Sequence, residues 1–197
     1  MKDKISFNQN PAKRFSTDLI KKILESLFQE KTIYIKYHKS EFEKTDERTL
    51  DAYHLRYFEG NWYLIAYAHN RKKIRVISVN RIESVKLSKR DFYVPEGFNA
   101  EDYFAYSFGK KRTSKIIEIK LEINKNSVRR ILEKSIHHTQ QTKLLKNGNV
   151  LVSLKLNELS EIKDWLMTKG SSIKVKSPGE LIDMIKIKSS SLLQLYK

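Results

Sequence analysis

The hydrophobic period of this chain changes once near its start, and that change limits what it can fold into. Leu19, Ile20, Ile23, Leu24, Leu27 and Phe28 recur at helical spacing, which predicts an amphipathic helix with its apolar stripe turned inward. Ser16-Thr17-Asp18 stand before it and supply capping oxygens and a negative charge at the helix start. From residue 32 the period falls to two. Ile33, Ile35 and Tyr37 alternate with Tyr34, Lys36 and His38, the pattern of a strand. After a charged, turn-like stretch at 39–47, a second extended segment runs from Arg48 to Phe58. Glu59-Gly60-Asn61 is a short hairpin connection, since Gly supplies the positive φ of a tight turn. Asn61 to Ala68 and Ile74 to Val79 are two further strands, separated by a turn at Asn70 to Lys73, and Ile82, Val85 and Leu87 mark a fifth. No proline interrupts residues 12–94, as inner strands need their N–H donors. Five short strands under one helix predict a small closed or nearly closed barrel.

The flanking segments differ in kind. Residues 1–15 are polar, contain Pro11 and are expected as an extended lead-in. The stretch 91–114 interleaves Phe92, Tyr93, Phe98, Tyr103, Phe104, Tyr106 and Phe108 with Pro95, Gly97 and Gly109, too many rings for a solvated linker. Beyond it, Ile117, Ile119, Leu121 and Ile123 alternate as a strand, and Val128, Ile131 and Leu132 predict a helix over 125–134. A strand over 137–145, the Asn147-Gly148 turn and a strand through Val150, Val152 and Leu154 form a hairpin. Leu159, Ile162, Trp165 and Leu166 give a helix that Gly170 is placed to end. Ile173 and Val175 give a last strand, and Pro178 opens a terminal helix. The order βαββαβα is that of a ferredoxin-like sandwich. The expected organisation is α+β: lead-in 1–15, barrel domain 16–95, aromatic linker 96–114 and C-terminal domain 115–197.

Composition narrows the chemistry. The chain has no cysteine, so disulfides, thiolate metal sites and cysteine nucleophiles are out, in keeping with a reducing cytoplasm. The first residues lack the apolar core of a secretory signal, and no apolar run approaches the roughly 18 residues of a membrane span. A formal net charge of +16 speaks to partners rather than fold: nucleic acid, an anionic membrane or a polyanionic ligand. Basic residues on solvated faces are the plain alternative. Lys110-Lys111-Arg112 and Lys143 to Lys146 add basic surface that could follow a nucleic-acid backbone, or stand simply solvated.

The most informative stretch is Arg48 to Ile82. It holds His54-Leu55, then Trp62-Tyr63-Leu64 after a Gly turn, then Tyr67, then Arg75-Val76-Ile77-Ser78-Val79-Asn80-Arg81-Ile82. This spaced set resembles the WYL domain. Gly170, Ile173, Val175, Pro178 and Leu181 resemble the extension that commonly follows that domain, so the likeness runs over most of the chain from residue 16. The resemblance implies an Sm-like, SH3-type five-stranded barrel in a bacterial transcription regulator, a homodimer that senses single-stranded nucleic acid or a nucleotide-like effector. It also implies a winged helix-turn-helix ahead of the domain. Residues before 16 leave no room for one, so operator binding by these residues is not expected.

Matching to the family puts Arg75 and Arg81 at its ligand surface. A guanidinium offers a fork of donors that fits phosphate and stacks on a base. On an uninterrupted strand their spacing points both to one face, whereas a turn at Asn80 would separate them. Ser78 and His54 could bond phosphate or base edges, and Tyr63 and Tyr53 could supply a stacking face. Each has a plain alternative: salt-bridged surface arginines, a structurally bonded His54, tyrosines packed in a strand. Trp62 and Leu64 share parity with Ala66 and Ala68. Both parities are apolar, so which lines the interior stays open. Trp165 is expected in the second core. Adjacent His137 and His138 would face opposite sides of a strand, a poor metal geometry, and neither a metal nor a cofactor is expected. There is no Walker loop, dinucleotide turn, nucleophile elbow or His-x-x-x-His pair. The expected role is therefore ligand sensing without catalysis; the alternative is a dimerisation module with non-specific nucleic-acid affinity.

Overall fold

A computed structural model describes residues 16–39, 45–58 and 60–197. The lead-in 1–15 and most of the charged turn near 40 lie outside the described residues. The chain divides into two compact units, Met1–Phe98 and Asn99–Lys197.

In the first unit, helix α1 spans Thr17–Gln29. The Ser16 hydroxyl accepts from the Leu19 N–H at 3.1 Å, satisfying one of the donors that a helix start leaves unpaired. The helix stops at Glu30, which turns left-handed at φ 51°. Leu19 and Ile23 are buried against the sheet, each worth roughly 1.5–3 kcal/mol of apolar burial. Five antiparallel strands follow: β1 Lys31–His38, β2 Thr45–Phe58, β3 Asn61–Ala68, β4 Lys73–Ser78 and β5 Ile82–Asp91. Their order is β4-β3-β2-β1-β5.

The expected closure into a barrel is not what the ladder shows. Among the described residues β4 and β5 are its two ends, joined in sequence by the single turn Val79–Arg81. The open question of parity is resolved in favour of the even positions of β3. Leu64, Ala66 and Ala68 share one core with Ile33, Ile35, Leu50 and Ile77, and Trp62 packs partly buried against it.

The second unit holds α2 Ala100–Phe104, β6 Ile117–Ile123, α3 Val128–Ile131, β7 Gln141–Leu144, β8 Val150–Leu156, α4 Ser160–Met167, β9 Ile173–Ser177 and α5 Gly179–Gln194. The antiparallel sheet runs β7-β8-β6-β9. Ile119, Leu121, Ile123, Val152 and Leu154 face Ile162, Leu166 and Leu181 of the helices in one core, with Trp165 packed at its side. Two expectations are corrected here. The helix predicted over 125–134 is a 3-10 turn, Lys125–Ser127, plus one α turn. Its polar continuation Glu133-Lys134-Ser135 is exposed and has no stripe to bury. The strand predicted over 137–145 is only four residues long. His137 to Gln140 instead form a turn closed by Gln140 N–H donating to the His137 carbonyl. The two imidazoles therefore lie side by side, centroids 4.4 Å apart, not on opposite faces of a strand.

Candidate ligand site on the five-stranded sheet

Pairing between β2, β3 and β4 sets the geometry. Directly opposed residues on neighbouring strands share a side, with Cβ atoms about 4.5–5.5 Å apart. Tyr63 stands opposite Ser78 on β4 and opposite Arg56 on β2. The next row on that side is Val76, Ile65 and His54. Four polar or aromatic groups from three strands thus meet on one side: Ser78, Tyr63, Arg56 and His54.

Arg56 was not singled out in the sequence. The signal was available, because it lies two positions from His54 on one strand and so projects to the same side. Its guanidinium sits over the Phe58 ring, 5.4 Å from the centroid. His54 is exposed. Desolvation of its ring and, after it, the Arg56 cation hold its pKa below the ordinary imidazole value. At neutral pH the ring is therefore uncharged and offers one donor and one acceptor.

Tyr53 is the extra residue of a bulge, since Ala52 pairs with Ala66 and His54 with Ile65. Its ring packs on Phe92 and Phe98, at 5.9 and 5.2 Å between centroids. Burial first, then Asp51, then Tyr67 raise its pKa. Tyr63 is only 8% exposed, so it contributes an edge of the site rather than an open stacking face.

The two arginines do not fall together as an uninterrupted strand would have them. Arg75 stands opposite Ala66 and leaves β4 on the side away from Ser78. Arg81 is the last residue of the 3-10 turn that breaks the strand. It is exposed, and its Nη1 donates to the Lys39 carbonyl at 2.9 Å. Asn80 fixes that turn against the start of β3, donating to Asn61 Oδ1 at 2.6 Å. Arg81 is held near the Ser78 end of β4; Arg75 belongs elsewhere.

Chemically the row is a set of donors around an aromatic edge, suited to an anion that also carries a flat or apolar part. No group of three or more His, Asp or Glu that could hold a metal occurs among the described residues. A neighbouring trio, Thr32, Asp51 and His69, has the outline of a catalytic relay. Thr32 Oγ1 donates to Asp51 at 2.6 Å, and His69 Nε2 is 2.9 Å from the other oxygen. Thr32 is fully buried, so its hydroxyl has no approach for a substrate and the trio ties β1, β2 and the turn after β3 together.

The family model of the WYL domain matches residues 18–87, and that of the WCX domain matches residues 115–192. Among solved structures the chain is similar to a CRISPR Cas-related protein, at 16% identity and TM-score 0.58, covering 91% of this chain and 52% of that one. It also matches proteasome accessory factor B/C (PafBC) of Arthrobacter aurescens, at 15% identity and TM-score 0.39, covering 95% of this chain and 29% of that one. The chain thus spans between about a third and a half of the length of these structures. No curated protein matches it. With the match to residues 18–87 lying over the five-stranded unit and that to residues 115–192 over the four-stranded one, the chain is a member of the WYL-domain family, its WYL domain followed by a WCX domain.

Proposed function

We propose that this chain is the ligand-sensing portion of a bacterial transcription regulator, without catalytic activity, acting in the cytoplasm as a homodimer. Its WYL domain binds an anionic effector, single-stranded nucleic acid or a nucleotide-like molecule. The observation that carries this reading is the cross-strand row Ser78–Tyr63–Arg56, with His54 beside it. A phosphate accepts from Arg56 and Ser78, the neutral His54 reads a donor or acceptor, and Arg81 lies at the same end of β4. Arg75 serves as a peripheral cation. Membership of the family and the net charge of +16 support the same partner class.

The fold reading goes with it. The five strands, with β4 and β5 following one another through one turn but not paired, form the partly open barrel of an Sm-like, SH3-type fold. The order β7-β8-β6-β9 is the ferredoxin-like order of a βαββαβ unit. The domain boundaries are 16–95 and 115–197, with the aromatic linker between.

Sensing requires that the effector bind two arrangements of the protein with different affinity, because equal affinity shifts nothing. The test is titration of labelled short single-stranded DNA and RNA, duplex DNA and nucleotides at about 150 mM salt. Saturable preference for one ligand is expected, weakened at least tenfold in Arg56→Ala/Arg81→Ala and less in Arg75→Ala. Unchanged affinity in the double variant overturns the site. The rival reading, a dimerisation module with non-specific nucleic-acid affinity, draws on the end of α5, where Leu193, Leu195 and Tyr196 are exposed. It predicts weak binding to every nucleic acid that salt abolishes.

A further inference from the structure

The outward side of the WCX-domain sheet has no part in the site proposed above. Its cross-strand rows are Lys143–Leu151–Glu122–Lys174 and Gln141–Ser153–Lys120–Ser177, with Lys155 opposite Glu118 beyond them. Lys176, in the bulge of β9, reaches the same side through its bond to Glu122. Five lysines thus share this face with two glutamates, and both glutamates are engaged. Glu122 accepts from Asn149 at 2.7 Å and from Lys176 at 3.1 Å, which keeps its pKa below the usual carboxylate value. Glu118 lies 3.6 Å from Lys120. Lys143, Lys155 and Lys174 are exposed and have no carboxylate within ion-pair distance among the described residues.

The composition of the face selects its partner. It carries no aromatic ring, and its one apolar side chain, Leu151, is half-buried. A protein partner needs an apolar core, and lysine is depleted at such interfaces. A bilayer surface is held by inserted apolar side chains together with charge. Neither fits. Lysine is a compact, hydrated point charge without the bidentate fork of arginine. A sheet of such charges without stacking groups suits the phosphate backbone of a nucleic acid and reads no base.

We propose that the outward sheet face of the WCX domain, through Lys143, Lys155 and Lys174, is a second nucleic-acid contact that follows the phosphate backbone. It supplies charge-driven affinity of its own, separate from that of the WYL domain. The proposal rests on the reading of that domain as a nucleic-acid binder.

The experiment measures the affinity of the whole chain for a single-stranded oligothymidylate about 20 nucleotides long, as a function of salt. Two triple variants remove equal charge: K143Q/K155Q/K174Q on the face, and K21Q/K186Q/K188Q on α1 and α5. Three lost phosphate contacts lower the slope of log affinity against log salt by about 2 in the face variant. Between 50 and 200 mM salt that variant then loses roughly 20-fold less affinity than the unaltered chain. The control variant keeps a slope near that of the unaltered chain, and circular dichroism shows both variants folded. Equal slopes in the face variant and the unaltered chain overturn the second contact while leaving the WYL site standing. Equal reductions in both variants overturn it as well, since net charge alone then accounts for the effect. Binding to phosphatidylserine vesicles that the face variant loses, with oligonucleotide binding intact, assigns the face to a membrane and overturns the proposal. No binding of any oligonucleotide by the unaltered chain overturns this proposal and the nucleic-acid reading together.

Discussion

β3 in the WYL domain and β6 in the WCX domain are both inner strands of antiparallel sheets, yet they bury their residues in different patterns. In β6 the alternation is clean: Ile119, Leu121 and Ile123 are fully buried while Glu118 and Lys120 are exposed. In β3, Leu64 and Ala66 are buried on one side, and Ile65, at 0% exposure, and Tyr63 are buried on the other. A sheet with one wet side tolerates charge there, and the WCX-domain sheet has filled that side with lysine. Where strands are covered on both sides, as over β3 and over Leu50 to Ala52 of β2, each polar group must be satisfied, so those on the second side are either tied down or held for a ligand.

The comparison is most exposed to failure at Ile65. If the second side of β3 is a true interior, Ile65→Ala costs about 2–5 kcal/mol, as Leu64→Ala does. Leu151→Ala, on the outward side of β8, costs less than about 1 kcal/mol. Hydrogen exchange resolved by unit measures both without assuming that the two units unfold together. An Ile65 variant as mild as the Leu151 variant would make the two sheets alike and remove the contrast.

Asp51 sharpens the same contrast at a smaller scale. It lies on the second side of β2, 7% exposed, and accepts from Thr32, which is fully buried. Asp51→Ala leaves the Thr32 hydroxyl without its acceptor and takes a partner from His69, at a cost of about 1–3 kcal/mol. Thr32→Val in that background should recover part of the loss, because it removes the stranded hydroxyl at nearly constant volume. Thermal unfolding of the two single variants and the double variant closes the cycle. Strict additivity would mean that the bond between them contributes nothing.

How much of this was legible in the sequence follows from which interactions are local. α1 was readable in full because cap and stripe sit within one segment: Ser16, then Leu19 and Ile23. The hairpin turns were readable because Gly60 and Gly148 take φ of 78° and 81°, conformations that side chains disfavour. The helix over 125–134 was over-read, since Val128, Ile131 and Leu132 fit one turn as well as three. Arg75 and Arg81 had the right spacing for one face, but the turn at Val79–Arg81 resets the parity. Which parity of β3 faces α1 was not legible, because Tyr63 and Ile65 are as apolar as Leu64 and Ala66, and only the cover from another segment distinguishes them. Arg56 was legible as a partner of His54 by parity alone; its neighbours Tyr63 and Ser78 come from pairings that sequence spacing does not give.

His137 gives the smallest effect and tests the one-sided sheet at its rim. Its Nδ1 accepts from the Thr139 N–H at 3.3 Å, and the Thr139 hydroxyl lies 2.8 Å away. The Ser107 backbone bonds the ring and favours the charged form, but desolvation, the larger influence, and then His138 lower the pKa. The folded state thus prefers the neutral ring, while the unfolded chain takes its proton near the ordinary value of about 6.5. Between those two values the unfolded state binds more protons, so stability rises with pH across that window and is lost as pH falls through it. Above about pH 7 the ring is neutral in both states and contributes no slope. His137→Gln, which cannot titrate, should flatten the pH dependence of WCX-domain unfolding below about pH 6.5 while leaving that of the WYL domain unchanged. An equal slope in the variant would place the acid sensitivity of the WCX domain at groups other than His137. His54, also lowered by desolvation and then by Arg56, would act in the same direction on the WYL domain, where His137→Gln leaves its contribution in place.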